Sequence, residues 1–336
     1  MCGIAGVLDA SGRSGADQLR DAAQRMAAAV RHRGPDDEGV WADAEAGIAF
    51  GHRRLSIIDL SPLGRQPMHS HCGRYVVVFN GEIYNFRALG RELEALGHAF
   101  RGHSDTEVLV TAVAAWGLPR ALARLNGMFA FALWDRRARL LHLVRDRLGE
   151  KPLYYGWAGK TFVFGSELKA LRAHPRFEAA IDRDAVALYV RYNSIPAPYC
   201  IYSGIRKLPP ATTLTVGAAS AGHMPAPVPY WSVREAVEQG LAHPFAGSPA
   251  DASAQLDELL RDAVGMRLEA DVPLGAFLSG GVDSSTVVAL MQAQFDRPVN
   301  TFTIGFREAG FDEAKQAKAV ARHLGTEHTE LYVTPQ

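Results

Sequence analysis

Met1-Cys2-Gly3-Ile4-Ala5-Gly6, the first six residues of the chain, decide how the rest of the sequence is interpreted. If the initiator methionine is removed, Cys2 becomes the N-terminal residue and carries both a thiol and a free α-amine. The amine, with a reference pKa of about 7.7–8.0, can take the proton of the thiol directly or through water. The resulting thiolate is a strong nucleophile. The hexapeptide alone favours a simpler interpretation, in which Cys2 is a small apolar residue that opens a strand at 4–8.

The composition is typical of a globular protein. The chain has 336 residues, which suggests about two domains at roughly 100–200 residues per domain. Hydrophobic residues make up 48% and charged residues 21%, an ordinary balance. Lysine and arginine together number 36, as do aspartate and glutamate. We therefore expect no nucleic-acid partner and no anionic membrane partner, because no net charge favours either.

The cysteines and the N-terminus indicate where the protein works. Cys2, Cys72 and Cys200 are far apart and lack C-x-x-C spacing. This pattern argues against a disulfide framework and against a zinc site, and it suits a reducing cytoplasm. The N-terminus lacks the basic segment of a signal peptide, and no apolar stretch is long enough to span a bilayer. We expect a cytoplasmic protein.

Periodicity predicts an α+β first domain over residues 1–192, in which antiparallel sheets have helices outside. Predicted strands lie at 4–8, at 48–58 as a pair of short strands, and at 75–79, 128–134, 140–145, 153–157 and 161–165. Predicted helices lie at 18–30, at 86–96, and from a capping box at Ser104 to about Gly117. Frequent prolines then predict a connecting region over 193–252.

Residues 253–336 change to an α/β pattern. A helical stripe at 256–264 is followed by a strand at 273–278, a glycine-rich loop and a helix to about 294. A strand at 299–304, a helix at 312–324 and a strand at 327–333 complete the pattern. This order is typical of a parallel, nucleotide-binding sheet.

The glycine-rich loop is Ser279-Gly280-Gly281-Val282-Asp283-Ser284-Ser285. Adjacent glycines let backbone N–H groups approach a polyphosphate, and the helix that follows points its positive end toward the same place. A carboxylate at Asp283 is reasonable there if it holds a Mg²⁺ ion that is bound to the phosphates. The loop lacks the G-K-[ST] ending of a Walker A motif. The alternative is a glycine turn followed by a helix cap.

Several motifs resemble those of known enzyme families. The loop at 279–285 resembles the PP-loop of the ATP pyrophosphatase superfamily, whose members cleave ATP to AMP and pyrophosphate. The first six residues and Arg33-Gly34-Pro35-Asp36 resemble the glutaminase domain of class II, or N-terminal-nucleophile, glutamine amidotransferases. In this order the two domains are similar to the glutamine-hydrolysing asparagine synthetase family of the B type. The motifs between them agree: Arg54-Leu55-Ser56-Ile57-Ile58-Asp59, Phe79-Asn80-Gly81-Glu82-Ile83-Tyr84-Asn85, Ser104-Asp105-Thr106-Glu107 and the run from Arg145 to Tyr155.

The resemblance covers essentially the whole chain and implies a fold for each part. It implies an αββα sandwich of antiparallel sheets, as in N-terminal-nucleophile hydrolases, followed by an incomplete α/β parallel-sheet nucleotide-binding domain. The domains would be a glutaminase at 1–192, a connecting region at 193–252 and the first part of a PP-loop synthetase domain at 253–336. Synthetase domains of this family continue beyond the point that corresponds to residue 336.

The resemblance also implies roles in a glutaminase site. Cys2 would attack the side-chain amide of glutamine, form a γ-glutamyl thioester and release ammonia. The Asn80 side chain and the Gly81 backbone N–H would form the oxyanion hole. Arg54 would hold the α-carboxylate of glutamine, for which a planar guanidinium is well suited. The α-ammonium group and the rest of the amino acid would contact Glu82, Asp105 and main-chain groups of Leu55, Ile57 and Ile58.

In the second domain, the resemblance implies that ATP is a co-substrate. Leu278 and Ile304 would present backbone to ATP, and the loop of Ser279, Gly280, Gly281, Val282, Asp283, Ser284 and Ser285 would hold its pyrophosphate portion, with Mg²⁺ at Asp283. An acceptor carboxylate, most simply aspartate, would be adenylylated and then attacked by ammonia to give asparagine. A homodimer is possible in this family.

Two alternatives stay open on the sequence. Relatives with the same two domains amidate carboxylates other than aspartate, including sugar acids and natural-product intermediates. A chain with an incomplete synthetase domain could also be a glutaminase-only or regulatory protein. The sequence therefore predicts a glutamine amidotransferase with aspartate as the favoured acceptor, and it keeps these alternatives open.

Overall fold

Two sheets of antiparallel strands form most of the first part of the protein. We describe a computed structural model, in which residues 1–217, 220, 222–308, 310 and 312–334 are described. These residues divide into two units, Met1–Gln239 and Gly240–Gln336.

The described residues of the first unit form twelve strands. They are β1 (Gly3–Asp9), β2 (Asp37–Asp43), β3 (Ile48–Arg54), β4 (Met68–His69), β5 (Tyr75–Ile83), β6 (Gly127–Asp135), β7 (Leu140–Arg145), β8 (Tyr154–Ala158), β9 (Thr161–Gly165), β10 (Ile205–Lys207), β11 (Thr212–Val216) and β12 (Val228–Pro229). The helices are α1 (Ala16–Ala28), α2 (Phe86–Ala95), α3 (Asp105–Trp116), α4 (Leu118–Arg124), α5 (Leu168–Arg172), α6 (Arg183–Tyr192) and α7 (Val233–Ala242), which crosses the division between the units. Short 3-10 turns lie at Arg31–Arg33 and Pro62–Gly64.

Each sheet has six strands, and every pairing within them is antiparallel. The first sheet has the order β10-β8-β9-β1-β3-β2, and the second has the order β12-β11-β7-β6-β5-β4. The sequence prediction of antiparallel sheets is confirmed. The central position of β1 in its sheet places Cys2, which precedes it, at the end of a rigid strand.

Burial divides the first unit into four layers. Ile4, Phe50 and Phe164 of the first sheet pack against Val76 and Trp134 of the second, and this cluster is the core between the sheets. A second cluster lies between the first sheet and helices α1 and α5, and a third lies between the second sheet and helices α2, α3 and α4. Since strands that are covered on both faces need apolar residues on both, β1 is buried throughout. The predicted αββα sandwich is confirmed.

Some elements differ from the sequence prediction. The pair of strands expected at 48–58 is one strand, β3, that ends at Arg54, and the following residues form a loop. The Arg54 side chain donates hydrogen bonds to backbone carbonyls of that loop. In a second strand, these carbonyls would instead have accepted hydrogen bonds from a neighbouring strand. The region expected to connect the domains supplies β10 to the edge of the first sheet, and β11 and β12 to one end of the second. The outermost strand, β12, contains Pro229, which is tolerated at an edge. Strands β2 and β4 and helices α4, α5, α6 and α7 also have no counterpart in the prediction.

The second unit holds a small parallel sheet. Its elements are α8 (Pro249–Met266), β13 (Gly275–Phe277), α9 (Val282–Gln292), β14 (Asn300–Phe306), α10 (Ala314–Leu324) and β15 (Glu327–Val333), and the strand order is β13-β14-β15. Leu278, Val288, Ala317 and Ala321 form a core between the loop after β13 and helices α9 and α10. The predicted parallel α/β pattern is confirmed. Among the described residues, no helix is long and apolar enough to cross a membrane.

Candidate functional site

A cavity of about 160 Å³ lies at the start of β1. Every residue that the sequence assigned to the glutaminase site lines this cavity, namely Cys2, Arg54, Leu55, Ile57, Ile58, Asn80, Gly81, Glu82 and Asp105. These residues come from the start of β1, the end of β3 and the loop after it, the end of β5 and the start of α3. Residues that the sequence did not assign complete the lining: Met1, Gly64, Gln66, Phe79, Ser104, Thr106, Met128 and Lys151.

The Cys2 thiol is held at the mouth of β1 by two neighbouring segments. The Leu55 N–H donates to Cys2 Sγ at 3.4 Å, and Sγ lies 3.6 Å from the Leu55 carbonyl oxygen. The Arg33 Nε–H donates to the Cys2 carbonyl at 2.9 Å. Burial raises the pKa of the Cys2 thiol, and burial lowers the pKa of the α-amine of Met1. A buried thiol of this kind needs a nearby base before it can attack a substrate.

Arg33 is itself fixed by an ion pair. Its Nη1 donates to Glu167 Oε1 at 2.9 Å, and the His32 Nε2 lies 3.0 Å from the same oxygen. Burial of Glu167 opposes ionisation, but hydrogen bonds from Arg33, His32 and Lys169 outweigh it and lower the pKa of this carboxyl to about 2. The sequence motif at 33–36 did not predict this role, because Glu167 lies 134 positions away.

Asn80 carries an unpaired amide in the cavity wall. It lies on β5 with 1% of its surface exposed, and among the described residues neither Nδ2 nor Oδ1 has a hydrogen-bond partner. Roughly 90% or more of buried polar groups in proteins are paired, and an unpaired one costs about 1–3 kcal/mol. An amide that is left unpaired in a cavity wall is suited to bind a polar group of a ligand.

Gly81 is required by the close approach of β5 and β6. A Cβ atom at this position would lie 2.2 Å from the Met128 carbonyl oxygen and 2.7 Å from the Phe129 Cα. Any larger residue would push these strands apart and move Asn80 with them. Gly81 and Asn80 both line the cavity with Cys2, as the predicted oxyanion hole requires.

Arg54 organises the loop that follows β3. Its Nη1 donates to the Ser61 carbonyl at 3.0 Å, and its Nη2 donates to the carbonyls of Ile58 and Asp59. A Cβ atom at Gly64 would lie 2.0 Å from Arg54 Nη2, so glycine makes room for the guanidinium. A guanidinium has five N–H donors, and it therefore keeps donors for a ligand carboxylate. The sequence motif predicted the ligand role and missed the loop contacts.

Asp105 is the first residue of α3 and is 6% exposed. Its Oδ2 accepts the Ile83 N–H at 3.0 Å. Burial raises the pKa of Asp105 to about 7, and the Glu82 carboxylate also raises it, while hydrogen bonds from Ile83 and Thr106 act in the opposite direction. A carboxyl of this kind would lose its proton when a ligand ammonium group binds beside it.

The predicted nucleotide loop lies between β13 and α9. The Ser279 N–H donates to Ser284 Oγ at 3.2 Å, and the two hydroxyl oxygens are 2.9 Å apart. Gly280 has φ +79°, and a Cβ there would lie 2.7 Å from the Ala317 backbone nitrogen. Gly281 is the N-cap of α9, and the Ser285 hydroxyl is buried without a partner among the described residues.

Other predicted nucleotide contacts are more exposed or already engaged. Leu278 is buried, its N–H donates to the Phe302 carbonyl at 2.9 Å, and its carbonyl accepts the Thr303 hydroxyl. Val282, Asp283 and Ile304 are exposed. Among the described residues, no group of three or more His, Cys, Asp or Glu side chains could hold a metal ion. The roles of these residues toward ATP and Mg²⁺ remain predictions.

Comparison with family models identifies both parts of the chain. Residues 1–231 match the model described as "Glutamine amidotransferase domain". The chain belongs to this family. Residues 255–336 match the model described as "Asparagine synthase". The order of the two matches is the order that the sequence motifs predicted.

The chain is similar to curated proteins over nearly all of its length. The chain is 38% identical over 315 residues to asparagine synthetase (glutamine-hydrolyzing) 3 of Bacillus subtilis, with 92% of this chain and 48% of the relative covered. It is 35% identical over 358 residues to the putative asparagine synthetase (glutamine-hydrolyzing) 2 of Methanocaldococcus jannaschii, with 99% and 65% covered. It is 30% identical over 350 residues to amidase chry2 of Gibberella zeae, with 97% and 50% covered. The chain thus spans about half to two thirds of the length of these relatives.

Solved structures support the fold. The structure of glutamine phosphoribosylpyrophosphate amidotransferase from Bacillus subtilis superposes with a TM-score of 0.51 at 16% identity, covering 100% of this chain and 69% of that one. A structure titled as the allosteric regulatory enzyme of purine biosynthesis gives a TM-score of 0.50 at 15% identity, with 100% and 68% covered. At such identity the similarity concerns the fold alone.

Proposed function

We propose that the protein hydrolyses glutamine at Cys2 and passes the ammonia to a carboxylate that is activated by ATP. The observation that carries the glutaminase part is one cavity that holds both a buried thiol and the unpaired amide of Asn80. A nucleophile beside a preformed hydrogen-bond donor is what acyl transfer requires.

In the proposed reaction the free α-amine of Cys2, after removal of Met1, takes the proton of the thiol. The thiolate attacks the side-chain carbonyl carbon of glutamine, and the negative oxygen of the tetrahedral intermediate accepts hydrogen bonds from the Asn80 Nδ2 and the Gly81 N–H. The protonated amine then returns its proton to the leaving nitrogen, and ammonia departs. Water hydrolyses the thioester and gives glutamate with the thiol restored.

The cavity is suited to a zwitterionic amino acid. Its volume corresponds to roughly ten water-sized spheres, which is the scale of a glutamine molecule. We propose that Arg54 holds the α-carboxylate, that Asp105 and Glu82 hold the α-ammonium group, and that main-chain groups of Leu55, Ile57 and Ile58 line the rest. One fixed cation and two carboxylates at opposite sides would orient the side-chain amide toward Cys2.

The second unit is proposed to activate the acceptor with ATP. The hydroxyl of Ser285, the glycines at 280 and 281 and the N-terminus of α9 are suited to the pyrophosphate portion, and Leu278 and Ile304 are proposed to contact the nucleotide. The exposed Asp283 fits a carboxylate that shares Mg²⁺ with phosphates, since Mg²⁺ in such sites takes few protein ligands. Mg²⁺ would supply charge neutralisation of the phosphates.

We propose aspartate as the acceptor, with asparagine, AMP and pyrophosphate as products, because residues 255–336 match the asparagine synthase model. The predicted division into 1–192, 193–252 and 253–336, a cytoplasmic location and a homodimer belong to the same proposal. No nucleic-acid or membrane partner is part of it.

A second acceptor class is supported by one relative. Amidase chry2 matches 97% of this chain and bears the name of an amidase and not of a synthetase. Incubating the protein with ATP, Mg²⁺, glutamine and a panel of carboxylates, and measuring AMP, would separate the classes. AMP formed with aspartate supports asparagine synthesis, and AMP formed only with another carboxylate replaces it.

The glutaminase part is tested by glutamate release. Cys2→Ala should abolish release of glutamate from glutamine, whereas Cys72→Ala, which changes an exposed thiol outside the cavity, should not. Equal rates for the wild type and Cys2→Ala would overturn the assignment.

A further inference from the structure

Lys151 places an unpartnered ammonium group in the cavity. Its side chain lines the cavity with Cys2, and only 6% of the residue is exposed. Lys151 belongs to the motif that runs from Arg145 to Tyr155, and the sequence resemblance assigns it no role. Among the described residues its Nζ forms neither a hydrogen bond nor an ion pair, since its contacts of this kind run through the backbone.

The backbone of Lys151 is held rigidly. Its N–H donates to Asp146 Oδ2 at 3.1 Å, and its carbonyl accepts the Arg145 Nε–H at 2.7 Å. Asp146 is 1% exposed and also accepts the N–H groups of Phe129, Leu148 and Glu150. A loop that is fixed this firmly directs the lysine side chain into the cavity without help from an ion pair.

Burying a cation without an ion-pair partner lowers the free energy of unfolding. We therefore expect the charge of Lys151 to have a function. Four ionisable side chains, two of each charge sign, act electrostatically on the α-amine of Met1. Burial contributes most to the lowered pKa of the α-amine of Met1; Arg33 and Lys151 lower it further, whereas Cys2 and Glu82 act in the opposite direction. Arg33 is paired with Glu167 at 2.9 Å, which partly neutralises its charge. Among the described residues Lys151 forms no such ion pair. Burial lowers the pKa of its ammonium group, as does Arg33, while the carboxylates of Glu82, Glu150 and Asp146 act in the opposite direction.

We propose that Lys151 is a positioning residue for the N-terminal base. Its ammonium group repels a proton from the α-amine of Cys2 once Met1 is removed, and so keeps that amine in the uncharged form that accepts the proton of the thiol. The inference rests on the proposed function, because it assigns the amine as the base. Cys2 and Lys151 line the same cavity, and Arg33 and Leu55 hold the carbonyl and the sulfur of Cys2 by contacts that do not involve Met1.

The test compares Lys151→Met, which keeps the length and removes the charge, with Lys151→Arg, which keeps the charge. On protein shown by intact mass to begin at Cys2, the acidic limb of the kcat/KM profile for glutamine should move upward by about one pH unit in Lys151→Met. Activity at pH 7 should fall several-fold and recover at higher pH. Lys151→Arg should follow the wild-type profile.

A second readout does not depend on turnover. The rate at which iodoacetamide alkylates Cys2 should show the same upward move in Lys151→Met, while its melting temperature should rise, because a buried charge is removed. A lysine with a merely structural role would instead lower the melting temperature and leave both profiles in place.

Two outcomes overturn the proposal. One is an unchanged acidic limb and an unchanged alkylation profile in Lys151→Met. The other is a raised KM for glutamine with an unchanged profile, which would make Lys151 a ligand of the substrate. If the wild type releases no glutamate, the proposed function itself fails, and the alkylation profile still decides whether Lys151 tunes the amine.

Discussion

The Asn80 side chain should lower the stability of the protein and raise its activity, and Asn80→Ala tests both effects. The side chain is buried, and two of its atoms lack hydrogen-bond partners among the described residues. Each unpaired buried group costs about 1–3 kcal/mol. Truncation removes both costs and loses only the packing of a small amide beside an existing cavity. We therefore expect the free energy of unfolding to stay constant or to rise by about 1–2 kcal/mol, seen as a melting temperature raised by a few degrees.

The same substitution should lower the rate of glutamine hydrolysis. Removing one oxyanion-hole donor typically costs about 10²–10³ in kcat, because the donor acts on charge that develops in the transition state. KM for glutamine should change far less than kcat. The assay is glutamate release under saturating glutamine, with thermal unfolding measured on the same preparations.

Gln66 offers a matched control in the same cavity. Its Oε1 accepts the Phe79 N–H at 2.6 Å, and its Nε2 donates to Thr106 Oγ1 at 3.3 Å. Gln66→Ala leaves the buried Phe79 N–H unpaired and should lower stability by about 1–3 kcal/mol. The reasoning is refuted if Asn80→Ala is destabilised as much as Gln66→Ala, or if it keeps kcat within tenfold of the wild type.

Three further predictions concern Asp105 and two glycines. The pKa of Asp105 in the empty site is about 7, and the ionised carboxylate is the form that binds an ammonium group. KM for glutamine should therefore fall as the pH rises from 6 to 8 and then level off. Initial rates measured across this pH range test this. Gly64→Ala should raise KM for glutamine about tenfold or more, because its Cβ would lie 2.0 Å from Arg54 Nη2, and steady-state kinetics check this. Gly280→Ala should weaken ATP binding and lower the free energy of unfolding by about 1–3 kcal/mol. The reason is that φ of Gly280 is +79° and a Cβ atom would lie 2.7 Å from the Ala317 backbone nitrogen. Calorimetry with ATP measures the binding, and thermal unfolding measures the stability.

Each of these has a contradicting result. A KM that stays constant between pH 6 and 8 would contradict the first prediction. A pH dependence of KM that persists in Asp105→Asn would assign the titration to another group. Wild-type KM in Gly64→Ala would show that Arg54 does not need its observed position. Gly97→Ala, at a positive φ with nothing within 4 Å of its Cβ, is the control for backbone strain alone. Equal ATP affinity in Gly280→Ala and the wild type would remove the loop from the nucleotide site.

Local signals account for what the sequence predicted well. The β-branched and aromatic run before Asn80 predicts a strand, and Ser104 accepts the Glu107 N–H at 3.2 Å as the capping box requires. Both depend on residues within a few positions of each other. The motif residues that the sequence assigned to the glutaminase site all line one cavity, and their roles stay predictions.

Contacts from side chains to the backbone, and contacts between distant residues, account for what the sequence missed. The loop after Arg54 is shaped by the Arg54 side chain, which donates to carbonyls 5 and 7 positions further along the chain, and no periodicity shows this. Gln66 and Lys151 reach the cavity through the packing of whole elements. Strands β10, β11 and β12 are only 3, 5 and 2 residues long. Strands β10 and β11 pair with β8 and β7, which lie far earlier in the chain, and local patterns do not show such pairings.

The most direct test of the central claim is the site of covalent labelling by a glutamine analogue that carries an electrophile at its side-chain end. Intact mass and peptide mapping should show a chain that lacks Met1 and carries one adduct at Cys2, and excess glutamine should protect it. Cys72, which is exposed and whose pKa is lowered by its hydrogen bond with Ser70, is the internal competitor. An adduct at Cys72 with Cys2 unlabelled, or labelling that glutamine does not prevent, would contradict the account.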